Sequence, residues 1–84
     1  MLSELSHLKS VAGCKQTLRA IRQGRAVKVF VASDVDPVIF GSVVKAAEEA
    51  ELPTETASMR EIGKACGIDV PTADAAVIMQ TQNR

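Results

Sequence analysis

The sequence predicts an α/β protein with helices on both faces of one sheet, and three observations carry that expectation. Amphipathic helical stretches alternate with short β-branched runs along the chain, the pattern of a layered fold. The run Val27-Lys28-Val29-Phe30-Val31-Ala32 is almost continuously apolar, as a strand covered on both faces must be. Hydrophobic residues make up 46% of the 84 positions, enough for one core in a single domain spanning 1–84.

The elements follow in order. Leu2, Leu5, Leu8 and Val11 recur at spacings of three, one face of a short helix over 2–11 whose first turn suits Ser3 and Glu4. His7 falls on its exposed side and reads as a surface histidine. Ser10-Val11-Ala12-Gly13 then turns the chain and has room for a very short strand. Gly13-Cys14-Lys15-Gln16-Thr17-Leu18-Arg19-Ala20-Ile21 opens the helix around which the rest is organised. Gly13 can take the backbone angles of a tight entry turn, and neither Gly nor Pro interrupts the residues that follow until Gly24 stops the helix.

After the 27–32 strand, Asp36 is a natural N-cap and Pro37 a natural first helical residue. The helix over 37–50 buries Ile39, Val43, Ala46 and Ala50, and Leu52-Pro53 ends it. Thr54-Glu55-Thr56-Ala57 has modest apolar content and suits a sheet edge. Ser58-Met59-Arg60-Glu61 is a capping box that starts a helix through Ile62, Ala65 and Cys66, closed by Gly67. Ile68 to Asp74 reads as a loop, Ala75 to Met79 as a second buried strand, and Gln80 to Arg84 as a polar, frayed tail.

Charge and composition narrow the function. Lysines and arginines balance aspartates and glutamates overall, which argues against a simple polyelectrolyte binder. The distribution is uneven, however. Lys9, Lys15, Arg19, Arg22, Arg25 and Lys28 face only Glu4 in residues 1–28, whereas Asp34, Asp36, Glu48, Glu49, Glu51 and Glu55 face only Lys45 in residues 29–58. A basic end of this kind can dock on phosphates locally. The only aromatics are Phe30 and Phe40, so a base-stacking aromatic platform is not expected. No signal peptide or membrane-spanning run is visible, and Cys14 and Cys66 stand apart with no CxxC spacing. A cytoplasmic protein with reduced thiols is therefore expected, one bridge between the two cysteines being the alternative, with no membrane partner, no cofactor and no metal.

The organising helix carries the candidate chemistry. At about 100° per residue, Lys15, Arg19 and Arg22 share one stripe, beside a stripe of Cys14, Thr17, Leu18 and Ile21 that can pack on a core. Its N-terminus offers unpaired N–H groups and a partial positive charge, with Lys15 and Gln16 at the tip. Such a tip suits an anionic ligand with hydrogen-bonding edges, as RNA is; a merely solvated basic face has the same pattern. Asp34 and Asp36 read as loop and cap rather than as metal ligands, since no further carboxylate or histidine joins them in sequence. Ile68 and Val70 either tuck under the preceding helix or form an apolar surface for a base or a partner.

Three blocks in register, Gly13 to Ile21, Val31-Ala32-Ser33-Asp34-Val35-Asp36-Pro37 and Gly63-Lys64-Ala65-Cys66-Gly67-Ile68-Asp69-Val70, resemble the kink-turn RNA-binding ribosomal protein superfamily. That superfamily includes the archaeal large-subunit protein that also binds box C/D RNAs, and small bacterial relatives with Gly-x-Lys-Gln-Thr at the first block. The resemblance spans nearly the whole chain. It implies a three-layer α/β/α sandwich with a mixed sheet of about four strands. It also implies binding to kink-turns, duplexes bent sharply at a bulge flanked by tandem sheared G·A pairs. On that basis Lys15 and Gln16 meet guanine edges and Arg19 guanine or nearby phosphate. Gly13 and Cys14 lie at the approach, and the loop Ile68, Asp69, Val70, Pro71, Thr72 and Ala73 covers the bulge. The partner would be a structured RNA, whether ribosomal RNA, a riboswitch or another, bound by a monomer that can be ribosome-associated.

The chemistry of such a contact is consistent. A kink with non-Watson–Crick pairs opens the otherwise narrow major groove of A-form RNA, and Lys, Arg and Gln match guanine edges. Thr72 and Asp74 depart from the Ala-rich loop of the family, and an exposed Asp74 would weaken binding. Two rivals remain at this level. One is a protein-interaction module of the same fold without RNA binding. The other is a thiol-dependent activity at Cys14, whose thiolate a helix N-terminus and Lys15 would stabilise; the chain lacks the other parts of a catalytic site, and no enzyme is expected.

Overall fold

The computed structural model describes residues 2, 4, 5, 8–68 and 70–79. Four strands and three helices alternate: β1 (Ser10–Ala12), α1 (Cys14–Arg22), β2 (Ala26–Ala32), α2 (Pro37–Glu49), β3 (Thr54–Ala57), α3 (Met59–Ala65) and β4 (Asp74–Ile78). The sheet runs in the order β1-β4-β2-β3. It is mixed: β4 is antiparallel to both β1 and β2, and β3 is parallel to β2.

The sheet divides two apolar layers, as the fold expected from the sequence requires. On one face Val29, Val31, Ala76 and Ile78 pack with Ala20 and Ile21 of α1 and Val43 and Ala47 of α2. On the other, Phe30, Ala32, Ala75 and Val77 pack with Ile62 of α3 and with Leu5. Successive residues of β2 thus point alternately into the two layers, which is why the run is apolar throughout. An irregularity in the β2–β4 register between Ala26 and Lys28 lets Val27 turn outward. Lys28 then lies on the Phe30 face, where its Nζ bonds Glu4 at 2.7 Å and Glu55 at 2.9 Å.

Several elements differ from the sequence expectation. Val11 lies in β1 rather than at the end of a helix over 2–11; pairing with Ala76 outweighs the three-residue spacing. Of that stretch, Glu4 and Leu5 are helical, while His7 lies outside the described residues. In α2 the buried stripe passes through Val43 and Ala47, and Ala50 is the exposed C-cap, because the helix turns a slightly different face to the sheet. The last strand begins at Asp74 and ends at Ile78, leaving Met79 exposed. β4 lies between two strands, and its ladder with β2 reaches Asp74 opposite Val31. The tail over 80–84 lies outside the described residues.

The carboxyl ends of β1, β2 and β3 and the start of β4 meet at one end of the sheet. There the connecting segments are bonded to one another. Gly13 N donates to Asp74 O at 2.9 Å, Ala32 N to Ala73 O at 2.8 Å, Ser33 N to Ala57 O at 2.9 Å and Thr72 N to Met59 O at 2.9 Å.

Candidate nucleic-acid interface

Gly13 sets the entry of α1. Its φ of +97° belongs to the region that side chains rarely adopt, and the space a Cβ would enter is open. The backbone there can be approached closely from outside. Helix α1 has no side-chain cap and no acidic residue in its first turn. Its leading N–H groups and positive dipole end are therefore available to an anion or an acceptor edge. Lys15, Gln16, Arg19 and Arg22 are exposed, while Thr17, Ala20 and Ile21 are buried and Cys14 and Leu18 are half-buried against the core. One helix thus presents a basic, uncapped tip on an anchored apolar back.

The loop after α3 lies at the same end of the sheet. Ile68 is 45% and Val70 57% exposed, so neither tucks under the helix as one of the two readings of the sequence expected. Pro71 is exposed, Ala73 half-buried and Thr72 buried, with the Thr72 hydroxyl donating to Val70 O at 3.1 Å. Thr72 therefore shapes the loop from inside, while Asp69 lies outside the described residues. The loop crosses α3 so tightly at Gly63 that a Cβ there would overlap the Val70 carbonyl.

The expectation of an acidic loop residue near a ligand is corrected. Asp74 is the first residue of β4 and fully buried. Neither of its carboxylate oxygens has a hydrogen-bond partner, nor does the buried Thr17 Oγ1. Burial pushes the carboxyl pKa up; the neighbouring Cys14 thiol and Thr17 hydroxyl, within electrostatic reach, pull it down by less. The Cys14 thiol is itself pushed up, by burial first and by Asp74 second. The helix tip does not generate the stabilised thiolate that a thiol-dependent activity would need.

Asp34 and Asp36 act in the framework. Asp36 Oδ1 accepts from Val38 N at 2.7 Å and caps α2, and Asp34 Oδ1 accepts from Met59 N at 2.9 Å at the start of α3. Ser58 and Glu61 complete the capping box expected there. Among the described residues no group of three His, Cys, Asp or Glu could hold a metal, and no helix is long and apolar enough to cross a membrane.

Two hollows at this end of the sheet were not read from the sequence. One, of about 460 Å³, is lined by Arg60, Lys64, Val70 and Pro71. The pair Arg60 and Lys64, one turn apart on α3, was the available signal, since that spacing puts both cations on one helix face. The other, of about 430 Å³, is lined by Ser33, Val35, Pro37, Phe40 and Thr56; an apolar Val35 between two capping acids marked it only weakly.

A basic helix tip, an apolar loop and a cationic cleft thus lie at one end of a β1-β4-β2-β3 sheet. The model of the ribosomal protein L7Ae/L30e/S12e/Gadd45 family matches residues 3–84. The chain belongs to this family. An RNA-binding protein of Geobacillus sp. strain WCH70 is 49% identical over 71 residues, which cover 83% of this chain and 87% of that protein. The RNA-binding protein YbxF of Geobacillus stearothermophilus is 46% identical with the same coverage. Among solved structures, the 15.5kD RNA binding protein of Giardia lamblia superposes with a TM-score of 0.84 at 26% identity, covering 94% of this chain and 71% of that one. The L7Ae family, with relatives of this kind, makes the chain a non-enzymatic protein.

Proposed function

We propose that this protein binds structured RNA at kink-turns through the α1 tip and the loop over 68–73. The observation that carries this reading is the uncapped N-terminus of α1, with Lys15, Gln16 and Arg19 exposed, at the same end of the sheet as the exposed apolar side chains of Ile68 and Val70. Relatives named as RNA-binding proteins at 46–49% identity support the RNA partner. The sequence resemblance described above supports the kink-turn.

In this reading α1 enters the groove opened at the sheared G·A pairs. Lys15 and Arg19 donate to guanine O6 and N7, Gln16 both donates and accepts, and the free N–H groups of the first turn face acceptor edges or phosphate. Val70 and Pro71 rest against the unstacked bulge, and Arg60 and Lys64 take the phosphates beside it. Selectivity comes from binding only the kinked form, which pulls a flexible RNA into that shape by the difference in affinity. The protein would act as a monomer in the cytoplasm, on ribosomal RNA, a riboswitch or another structured RNA.

A dye-labelled kink-turn duplex tests this. Titration should raise end-to-end energy transfer, and a control duplex with Watson–Crick pairs in place of the two G·A pairs should stay extended. Lys15→Ala and Gln16→Ala should each weaken binding by roughly 1–3 kcal/mol, the cost of a lost base-edge contact, with circular dichroism unchanged. Equal, weak responses on both duplexes would remove the RNA function and leave the exposed surface of Ile68 and Val70 to a protein partner.

A further inference from the structure

The RNA contacts proposed above leave the Asp74 carboxyl unused, although it lies directly beneath them. The Asp74 main chain holds Gly13 at the entry of α1. Its side chain sits beside Cys14 and Thr17, the inward residues of the first turn of α1, close enough for their S–H and O–H to act on the carboxyl, yet neither oxygen meets hydrogen-bond geometry with any group. A buried polar group left unpaired is costly, and a charged one far more so. Capping does not explain it, since no side chain caps α1.

We propose that Asp74 is a positioning residue for the RNA-reading tip of α1 and that its carboxyl takes up a proton as RNA binds. This rests on the RNA-binding reading. As a carboxylate, Asp74 puts a negative charge under the helix end, opposing the dipole and the lysine that should attract phosphate. As a carboxylic acid it carries no charge, and a small settling of the α1 tip would let its O–H donate to Thr17 Oγ1, which makes no hydrogen bond in the RNA-free chain. That bond would tie β4 to the first turn of α1 and fix the direction in which Lys15 and Gln16 point. The proton comes from solvent, and no other bond changes.

The surroundings favour this coupling. Burial favours the proton and outweighs the Cys14 thiol and Thr17 hydroxyl of α1, which favour the carboxylate; among the described residues no charged side chain acts on the carboxyl. Its ladder partner on β2 is Val31, and β1 offers Ala12 leading into Gly13. A polyanion arriving at the helix tip makes the charged form costlier still, which raises the affinity for the proton. By linkage, RNA affinity must then rise as pH falls.

The test is the kink-turn dissociation constant from about pH 5 to about pH 8, for the wild-type chain and Asp74→Asn. Wild-type affinity should weaken toward high pH, by up to about tenfold for each pKa unit by which RNA strengthens the carboxyl's hold on its proton. Asp74→Asn, neutral at every pH, should lose this dependence and bind at high pH as tightly as the wild type does at low pH. Calorimetry of the wild type in two buffers of different ionisation enthalpy reads proton uptake directly, without relying on the variant folding. Parallel pH profiles for the two proteins, or binding without proton uptake, overturn the proposal while leaving RNA recognition standing. Failure of the wild type to bind at any pH removes the RNA reading, and this proposal with it.

Discussion

Asp74 holds its proton more tightly in the folded chain than in the unfolded one, because burial disfavours the charged form. The sign of its effect on stability follows. Its contribution is most favourable below the ordinary carboxyl range and is lost as pH rises through the folded-state value. Asp74→Asn should therefore raise the melting temperature at neutral pH by several degrees, with the gain vanishing as the pH approaches the ordinary carboxyl value. A melting series over pH in the absence of RNA checks this, and an Asn variant no more stable than the wild type at neutral pH would contradict it. Sequence reading misplaced this residue for a physical reason. Asp is a turn-former by local chemistry and here follows Pro71, Thr72 and Ala73, so local propensity favours a loop. Only the pairing of β4 with β2 draws it inside. Lys15, Gln16 and Arg19 were legible because a helix tip with a basic stripe is a local pattern.

Among the elements, α3 and the loop that crosses it show how a surface is held in shape. Gly63 is buried in α3, and a Cβ at that position would meet the Val70 carbonyl and crowd Thr72 Oγ1. The obstacle is main chain, so a side chain cannot simply rotate away. Gly63→Ala should lift the loop from the helix, at about 1–3 kcal/mol of stability, the usual range for overpacking. RNA affinity should fall with it, as Val70 and Pro71 leave their places beside Arg60 and Lys64; retained stability and affinity would show that the loop accommodates a methyl group freely. The capping box at Ser58 and the cap at Asp36 were legible, since both are short-range signatures. The bond from Met59 N to Asp34 was not, because it joins segments that come together only in the fold.

For the molecule as a whole, a net charge of zero conceals a separation. Lys15 and Arg19 of α1 and the pair Arg60 and Lys64 lie at the proposed interface, while acids crowd the middle of the sequence. The interface should release a limited number of counterions, and the slope of log affinity against log salt should be on the order of three to four. A flat response would contradict docking on phosphate, and a much steeper one would point to binding without shape selection. The layered architecture was legible from alternating elements, and the position of β4 was not. Strand order depends on which distant segments pair, and periodicity within a segment carries no record of that.

That strand order bears on how the protein comes into being. β4 follows every other described element in the sequence, yet it occupies an inner place in the sheet between β1 and β2. A nascent chain emerging from its N-terminal side therefore has β2 and β3 as neighbours but leaves β1 unattached until residues 74–78 appear. Gly13 likewise waits for Asp74 to receive its hydrogen bond. The tip of α1 and the loop beside it thus acquire their mutual geometry only once residues 74–78 have joined the sheet.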